Sequence, residues 1–226
     1  MQGIFNLCIV LYVFCCSFTA QATEELTVAV ASSLYEEMLQ KSQDFEKKHA
    51  VHIRLISGST GRLYNQIQQG APFDVFIAAD EIRPNLLLQQ NKAMAKYTAG
   101  KGYLGLMIGD QLVSEPKRLT QTNIKRIAIA NPEVAPFGLA AKKLLQQQGL
   151  WDILEPKFVY AQNALQSKML VTKGLVDAAF IPVAPTQPCI ATLNYIGVLL
   201  VDKSLAKLWL EGMRYKQDRV LALQLP

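Results

Sequence analysis

The feature that most constrains the fold is a regular alternation of short apolar runs with amphipathic segments. Residues 51–80 contain one full cycle of it. The apolar run 51–56 leads into a loop of glycine, serine and threonine, a helical segment follows with Leu63 and Ile67 on one face, and a turn at Gly70 opens the apolar run 75–78. A strand, a helix and another strand in succession predict parallel strands joined by a crossover helix. We therefore expect an α/β fold.

The same alternation continues along most of the chain. Further strands are predicted at residues 26–30, 103–108, 127–130, 158–160, 178–181 and 198–201. Further helices are predicted at residues 34–48, 83–90, 136–148, 164–173 and 203–215. This order predicts a mostly parallel sheet with helices on both faces. In such folds ligands bind beyond the carboxyl ends of the strands, where the helices begin.

At four places a predicted strand runs into small or constrained residues that open a helix. These places are residues 31–33, 57–61, 135–138 and 161–164. Helix starts carry free N–H groups and the positive end of the helix dipole, so four that converge would suit an anion. The alternative is ordinary capping, with Ser59 or Thr60 as a helix cap and Ser33 with Glu36 as a capping box. Both interpretations remain open from these residues.

The N-terminus predicts export. Residues 4–18 are almost wholly apolar and are followed by an Ala-x-Ala pattern that ends at Ala22. This is typical of a secretory signal peptide that is cleaved after Ala22. About fifteen apolar residues are short for a membrane span. Cys15 and Cys16 raise the alternative of a lipoprotein anchor, which the bulky Phe14 disfavours.

Charge and cysteine content exclude several classes of protein. The formal net charge is +5, with basic residues scattered along the chain, whereas a nucleic-acid-binding protein more often has a basic stripe. Mild basicity suits an anionic small molecule. After removal of the signal peptide only Cys189 remains, so no internal disulfide is expected and Cys189 is interpreted as a buried or semi-buried small residue. His49 and His52 are interpreted as surface residues rather than metal ligands.

Several motifs together resemble those of one protein family. They lie at residues 31–34, 58–61, 70–72, 74–80, 131–133, 138–142 and 149–152. In this order they resemble the periplasmic molybdate-binding proteins of bacterial ABC importers. The resemblance covers nearly the whole mature chain, is most specific at residues 58–80 and weakens after Pro182.

The resemblance implies a two-lobed type II periplasmic binding protein, with each lobe a mostly parallel sheet flanked by helices and the ligand in the cleft between them. Residues 1–22 would be the signal peptide, 23–99 the first lobe, completed by 185–226, and 100–184 the second lobe. The protein would be a periplasmic monomer that carries molybdate or tungstate to an ABC permease and its ATPase. It would have no cofactor, no enzymatic activity and no nucleic-acid partner, and it would reach the membrane only through the permease.

The family's ligand donors can be carried over to positions in this chain. They fall on Ser33 with Ser32 beside it, Thr60 with Ser59 beside it, and the backbone N–H groups of Phe137 and Ala164. The family's fifth donor, a tyrosine hydroxyl, falls on Pro182, which offers neither a hydroxyl nor an N–H group.

The missing donor leaves three alternatives open. Another hydroxyl, such as Thr186 or Tyr195, or a water molecule, replaces the tyrosine; the protein binds a different oxyanion; or the chain is a relative that binds weakly. A hydrolase with Ser33 or Thr60 as nucleophile is a further alternative, and it is disfavoured because no histidine is placed to activate either hydroxyl.

Overall fold

The computed structural model describes residues 24–212, so the predicted signal peptide and the end of the predicted C-terminal helix lie outside the described residues. The strands are β1 Glu24–Ala31, β2 Val51–Gly58, β3 Val75–Ala78, β4 Ala95–Ile108, β5 Gln111–Val113, β6 Ile127–Ala130, β7 Phe158–Ala161, β8 Ala178–Val183 and β9 Ala191–Leu199. The helices are α1 Tyr35–Glu46, α2 Thr60–Gln68, α3 Ile82–Gln89, α4 Pro136–Gln147, α5 Trp151–Leu154, α6 Ala164–Thr172 and α7 Ser204–Gly212. Short 3-10 turns lie at Ser32–Leu34, Pro116–Thr120 and Glu155–Lys157.

All nine strands belong to one mixed sheet, in the order β2-β1-β3-β9-β4-β8-β6-β7, with β5 paired to β4. Three strands at one end, β2, β1 and β3, are parallel to one another, and so are β8, β6 and β7 at the other end. The two central strands, β9 and β4, pair antiparallel with each other and with their neighbours β3 and β8. The sheet therefore has two parallel halves joined by an antiparallel centre.

Strand β4 connects the two halves. Its first part pairs with β9 and its last part with β8. The pairing with β9 shifts register between Thr98 and Gly100, and Gly100 has a φ of 144°. Residues that have a side chain rarely adopt this backbone conformation, so glycine suits the position. The long central strand therefore contains an irregularity where it passes from one half of the sheet to the other.

Helices cover both faces of the sheet, which explains why the strands are apolar on both sides. Successive side chains of a strand point to opposite faces. In β1, Val28 and Val30 belong to the large core that contains α1 and α7 residues, whereas Ala29 packs with Leu63 of α2 and Leu87 of α3. The other half of the sheet is covered in the same way, by α4 on one face and α6 on the other.

A buried carboxylate joins the C-terminal segment to the first half of the sheet. Asp74, which is 7% exposed, accepts a hydrogen bond from the Thr27 N–H at 2.8 Å. Its other oxygen lies 2.8 Å from Lys203 Nζ, just before α7. Because the carboxylate is both paired and hydrogen-bonded, its burial is compensated. Helix α7 then buries Trp209 and Leu210 against the core.

The predicted α/β class is confirmed, and the predicted strands at 75–78 and 127–130 match β3 and β6. The antiparallel centre was not predicted. The strand predicted at 198–201 is misplaced, since β9 ends at Leu199. Cys189 was predicted to be buried or semi-buried and is exposed, because it lies in the loop between β8 and β9 rather than in the core. Within residues 24–212, every helix is too short or too polar to cross a membrane.

Candidate functional site

A small cavity lies where the carboxyl ends of the strands meet the first residues of the helices. Its lining residues are Ala31, Ser32, Ser33, Gly58, Ser59, Thr60, Ala79, Ala135, Pro136, Phe137 and Ala164. The four places where the sequence pattern opens a helix therefore all contribute to one cavity. Six of the seven predicted site residues line it, and Pro182 does not.

The walls of this cavity are electrically neutral. None of the described residues that line it carries a charged or titratable side chain. Its volume is about 10 Å³, close to the room that a single water molecule needs. The wall therefore offers a ligand hydrogen-bonding groups and no opposite charge.

Three hydroxyls of the cavity wall differ in their hydrogen-bond partners. Ser33 Oγ lies 3.0 Å from the Tyr195 hydroxyl, which donates to it. Thr60 Oγ1 accepts the Ala79 N–H at 3.1 Å. Ser59 Oγ is buried and has no hydrogen-bond partner among the described residues. An unsatisfied buried hydroxyl costs about 1–3 kcal/mol, and a partner supplied by a ligand would remove that cost.

The capping interpretation of these hydroxyls is wrong. Ser59 is the residue before α2, but its side chain makes no capping hydrogen bond. The predicted capping box at Ser33 is also absent, because α1 begins after Leu34 and has no side-chain cap. Ser33 lies instead in the 3-10 turn that follows β1, where its hydroxyl faces Tyr195.

Two residues at helix starts also line the cavity. Phe137 is the second residue of α4, and Ala164 is the first residue of α6. The first N–H groups of a helix have no acceptor within the helix. At α6 the Asn163 side chain caps the Gln166 N–H, and Ala164 lines the cavity. Both helices also direct the positive end of their dipole toward the cavity.

The position of Phe137 depends on the glycine that follows it. A Cβ added to Gly138 would lie 1.8 Å from the Ala130 carbonyl oxygen, at the end of β6. Only glycine lets the start of α4 rest this closely on the strand. This contact fixes the helix start, and with it the Phe137 N–H, against the end of the sheet.

Pro182 lies in β8, opposite Leu104 of β4. On the other side of β8, the pairing with β6 ends at Ala179, so the missing N–H of Pro182 removes no bond to β6. Pro182 lines a second, larger cavity of about 340 Å³, which also has Ser33 and Tyr195 in its wall. Thr186, one of the two hydroxyls suggested as a replacement, is exposed, whereas Tyr195 is buried beside Ser33.

Three hydrogen bonds connect the two sides of the cavity region. The Gly61 N–H donates to the Val134 carbonyl at 2.8 Å. Arg83 Nη2 donates to the Glu133 carbonyl at 3.1 Å, and Arg62 Nη1 donates to Gln162 Oε1 at 2.9 Å. In each pair the donor residue lies in a segment after β2 or β3, in the first half of the sheet. The acceptor residue lies in a segment after β6 or β7, in the second half.

Both histidines of the chain lie away from the cavity. His49 stacks on Phe45, and His52 Nδ1 lies 3.1 Å from Glu46 Oε1, on the surface of α1 and β2. Residues 24–212 contain no group of three or more His, Cys, Asp or Glu side chains arranged to hold a metal ion. Neither histidine lines the cavity, so neither is placed to activate Ser33 or Thr60.

Known proteins with similar sequences are named molybdate-binding proteins. The chain is 31% identical to a molybdate-binding protein of Rhodobacter capsulatus over 163 residues, 71% of this chain and 65% of that protein. It is 33% identical to the molybdate-binding protein of Azotobacter vinelandii over 166 residues, 72% of this chain and 66% of that protein. The matched stretches thus span just under two thirds of these relatives.

Comparison with solved structures gives the same fold. The periplasmic molybdate-binding protein of Azotobacter vinelandii matches with a TM-score of 0.76 and 26% identity, covering 89% of this chain and 99% of that chain. The fold is therefore that of a type II periplasmic binding protein. The family model of bacterial extracellular solute-binding proteins matches residues 26–188, well over half of the sequence. The chain belongs to the bacterial extracellular solute-binding protein family.

Proposed function

We propose that this protein captures a tetrahedral oxyanion, molybdate or tungstate, in the small cavity and delivers it to an ABC permease and its ATPase. The observation that carries the proposal is the composition of the cavity wall. It combines hydroxyls with N–H groups at helix starts, contains no charged side chain, and includes the buried hydroxyl of Ser59, which has no partner among the described residues.

Such a wall can bind a dianion without a positive side chain. Hydrogen bonds to an ionised ligand are about twice as strong as those between neutral groups. Their donors here are Ser33, Ser59, Thr60 and the N–H groups of Phe137 and Ala164, with Ser32 beside them. The dipoles of α2, α4 and α6 add a favourable potential at the same place. We assign no donor role to Pro182, which lies outside this wall.

The choice of molybdate or tungstate rests on the relatives. Two of them carry the name molybdate-binding protein and are 31% and 33% identical to this chain. Sulfate is a tetrahedral dianion without a proton as well, so the cavity chemistry alone does not separate it from molybdate. Two outcomes would replace this assignment: tight binding of another oxyanion, or weak binding of molybdate.

We propose that the two halves of the sheet are the cores of two lobes, 23–99 completed by 185–226, and 100–184. The register shift beside Gly100 and the loop between β8 and β9 would serve as the hinge. Because both halves of the sheet contribute residues to the cavity wall, we propose that an oxyanion enters when the lobes separate. Closure would then re-form the Gly61 to Val134 hydrogen bond.

We also propose that the protein works outside the cytoplasm, as a periplasmic monomer released by cleavage of the signal peptide 1–22. Its family, bacterial extracellular solute-binding proteins, supports this location. A lipoprotein anchor is the alternative that mass spectrometry of the mature N-terminus would reveal. We propose binding without catalysis and without a cofactor, because the donors of the cavity wall can hold a ligand but include no general base.

Calorimetric titration of the mature chain, from Thr23, with molybdate, tungstate, sulfate and phosphate tests the proposal. We expect tight binding of molybdate and tungstate only. Replacing both Ser33→Ala and Thr60→Ala should abolish it while thermal unfolding still shows a folded chain. Tight binding of sulfate or phosphate would change the assigned ligand and leave the proposed mode of binding in place. Absence of binding to all four anions would overturn the proposed function.

A further inference from the structure

Tyr195 is a buried phenol beside the small cavity that contributes nothing to its wall. It lies in β9, opposite Gly100 of β4, and is 3% exposed. A Cβ added to Gly102 would lie 2.8 Å from the Tyr195 Cζ and hydroxyl oxygen. The glycine therefore provides the space that lets the ring reach Ser33.

The direction of the Tyr195–Ser33 hydrogen bond follows from the surroundings of the phenol. A buried tyrosine O–H needs an acceptor, and Ser33 Oγ, at 3.0 Å, is the acceptor found for it within residues 24–212. Burial raises the pKa of Tyr195 well above its ordinary value, against a smaller lowering by the Ser33 hydrogen bond. The phenol therefore stays protonated and donates.

A serine hydroxyl has one hydrogen to donate. When Ser33 Oγ accepts the Tyr195 proton, the hydrogen of Ser33 itself has to point elsewhere, and Ser33 lines both the small and the larger cavity. Thr60 Oγ1 likewise accepts the Ala79 N–H, which leaves its own hydrogen for another acceptor. In both hydroxyls one of the two lone pairs is thus occupied by a donor of the protein, and the hydrogen is left for a ligand.

We propose that Tyr195 is a positioning residue that fixes Ser33 as a hydrogen-bond donor and so favours oxyanions that only accept hydrogen bonds over those that carry a proton. This inference rests on the proposed function. Tyr195 acts through Ser33 and not on the ligand, because it lines the neighbouring cavity and not the small one. Hydrogen phosphate would present its own O–H to a Ser33 oxygen that already accepts one hydrogen bond, whereas molybdate presents only acceptors.

A double-mutant cycle between Tyr195→Phe and Ser33→Ala tests this inference. Tyr195→Phe keeps the ring and removes the O–H. We expect it to weaken molybdate binding about tenfold, the loss of one oriented hydrogen bond to a charged ligand. In the Ser33→Ala background the same change should have no further effect on affinity. Tyr103→Phe, in the larger cavity, is the matched control and should bind like the wild type.

A second measurement tests the specificity of binding, by comparing phosphate with molybdate. At pH 8, the ratio of the phosphate Kd to the molybdate Kd should fall in Tyr195→Phe, because Ser33 is then free to turn and accept the phosphate proton. Additive effects of the two substitutions on molybdate affinity, or an unchanged Kd ratio, would overturn the inference while leaving the proposed function intact. A wild-type chain that binds no oxyanion would overturn both.

Discussion

Ser59 has a hydroxyl that folding buries, at 3% exposure, without giving it a partner among the described residues. Buried polar groups in folded proteins are nearly always hydrogen-bonded, so an exception needs a reason. Its neighbours Ser33 and Thr60 are both held by groups of the protein. The reason we infer for Ser59 is a ligand oxygen, which would accept its hydrogen in the closed cavity.

Ser59→Ala should therefore separate binding from stability. We expect the oxyanion affinity to fall about 10- to 100-fold, since a hydrogen bond to a charged group contributes about 1.5–3 kcal/mol. The free energy of unfolding of the ligand-free chain should be unchanged or higher, because an unsatisfied buried hydroxyl is removed. Calorimetry and urea unfolding measure the two quantities.

Ser167→Ala is the matched control for this substitution. Ser167 Oγ is also buried without a partner, in α6, and the residue is 0% exposed but does not line the cavity. It should change stability in the same direction and leave the affinity as it is. Equal affinities for the wild type and Ser59→Ala would show that the Ser59 hydroxyl has no role in binding.

At the scale of single residues the sequence supplied the positions but not their roles. The hydroxyl and glycine pattern marked Ser33, Ser59 and Thr60 because such residues cluster at helix starts. It could not distinguish a cap from a group aimed at a ligand, since that depends on partners distant in sequence. Tyr195 could be named only as one of two candidates, because its position beside Ser33, 162 residues earlier, is set by sheet pairing.

The start of α4 is placed by its contact with the end of β6. Gly138 packs there so closely that a Cβ would lie 1.8 Å from the Ala130 carbonyl oxygen. Gly138→Ala must push the helix start away from the strand. We expect it to lower the free energy of unfolding by at least about 2 kcal/mol and to weaken oxyanion binding, because the Phe137 N–H moves with the helix.

Gly212→Ala, in α7, is the control for Gly138→Ala. Within residues 24–212, a Cβ at Gly212 would meet no atom within 4 Å outside its own helix and its chain neighbours. Its unfolding free energy should stay within about 0.5 kcal/mol of the wild type, as measured by urea unfolding. A Gly138→Ala chain with wild-type stability and affinity would show that the close contact is relieved without moving the helix start.

Elements with strong local patterns were predicted well, and those made by pairing were not. The fully buried strands β3 and β6 are short apolar runs that can be recognised alone. The first part of β4 has no apolar run: exposed residues alternate with half-buried ones, and Gly100 and Gly102 follow, so its strand character comes from pairing with β9. The antiparallel centre of the sheet depends on this same pairing, which spans about a hundred residues of sequence.

At the scale of the whole molecule, the two sides of the cavity are in direct backbone contact at Gly61. Its N–H donates to the Val134 carbonyl, and a Cβ there would lie 2.9 Å from the Val134 Cα and carbonyl oxygen. Gly61→Ala should therefore hold the two sides apart. We expect the oxyanion affinity to fall about tenfold or more, consistent with an overpacking cost of about 1–3 kcal/mol.

Small-angle scattering with and without ligand measures closure directly. In Gly61→Ala the ligand should reduce the radius of gyration less than in the wild type. Arg62→Ala is the control, since it removes the exposed hydrogen bond to Gln162 and adds no atoms to the contact. Its affinity should stay within about threefold of the wild type, because exposed polar pairs contribute little. Wild-type affinity and compaction in Gly61→Ala would contradict a closing cleft.

The position of the ligand can be observed directly by anomalous scattering from molybdenum, in crystals of the mature chain grown with molybdate. We predict one strong peak in the small cavity, surrounded by the hydroxyls of Ser33, Ser59 and Thr60 and the N–H groups of Phe137 and Ala164. A peak at any other place, or an empty cavity in crystals that hold molybdate, would contradict the proposed site.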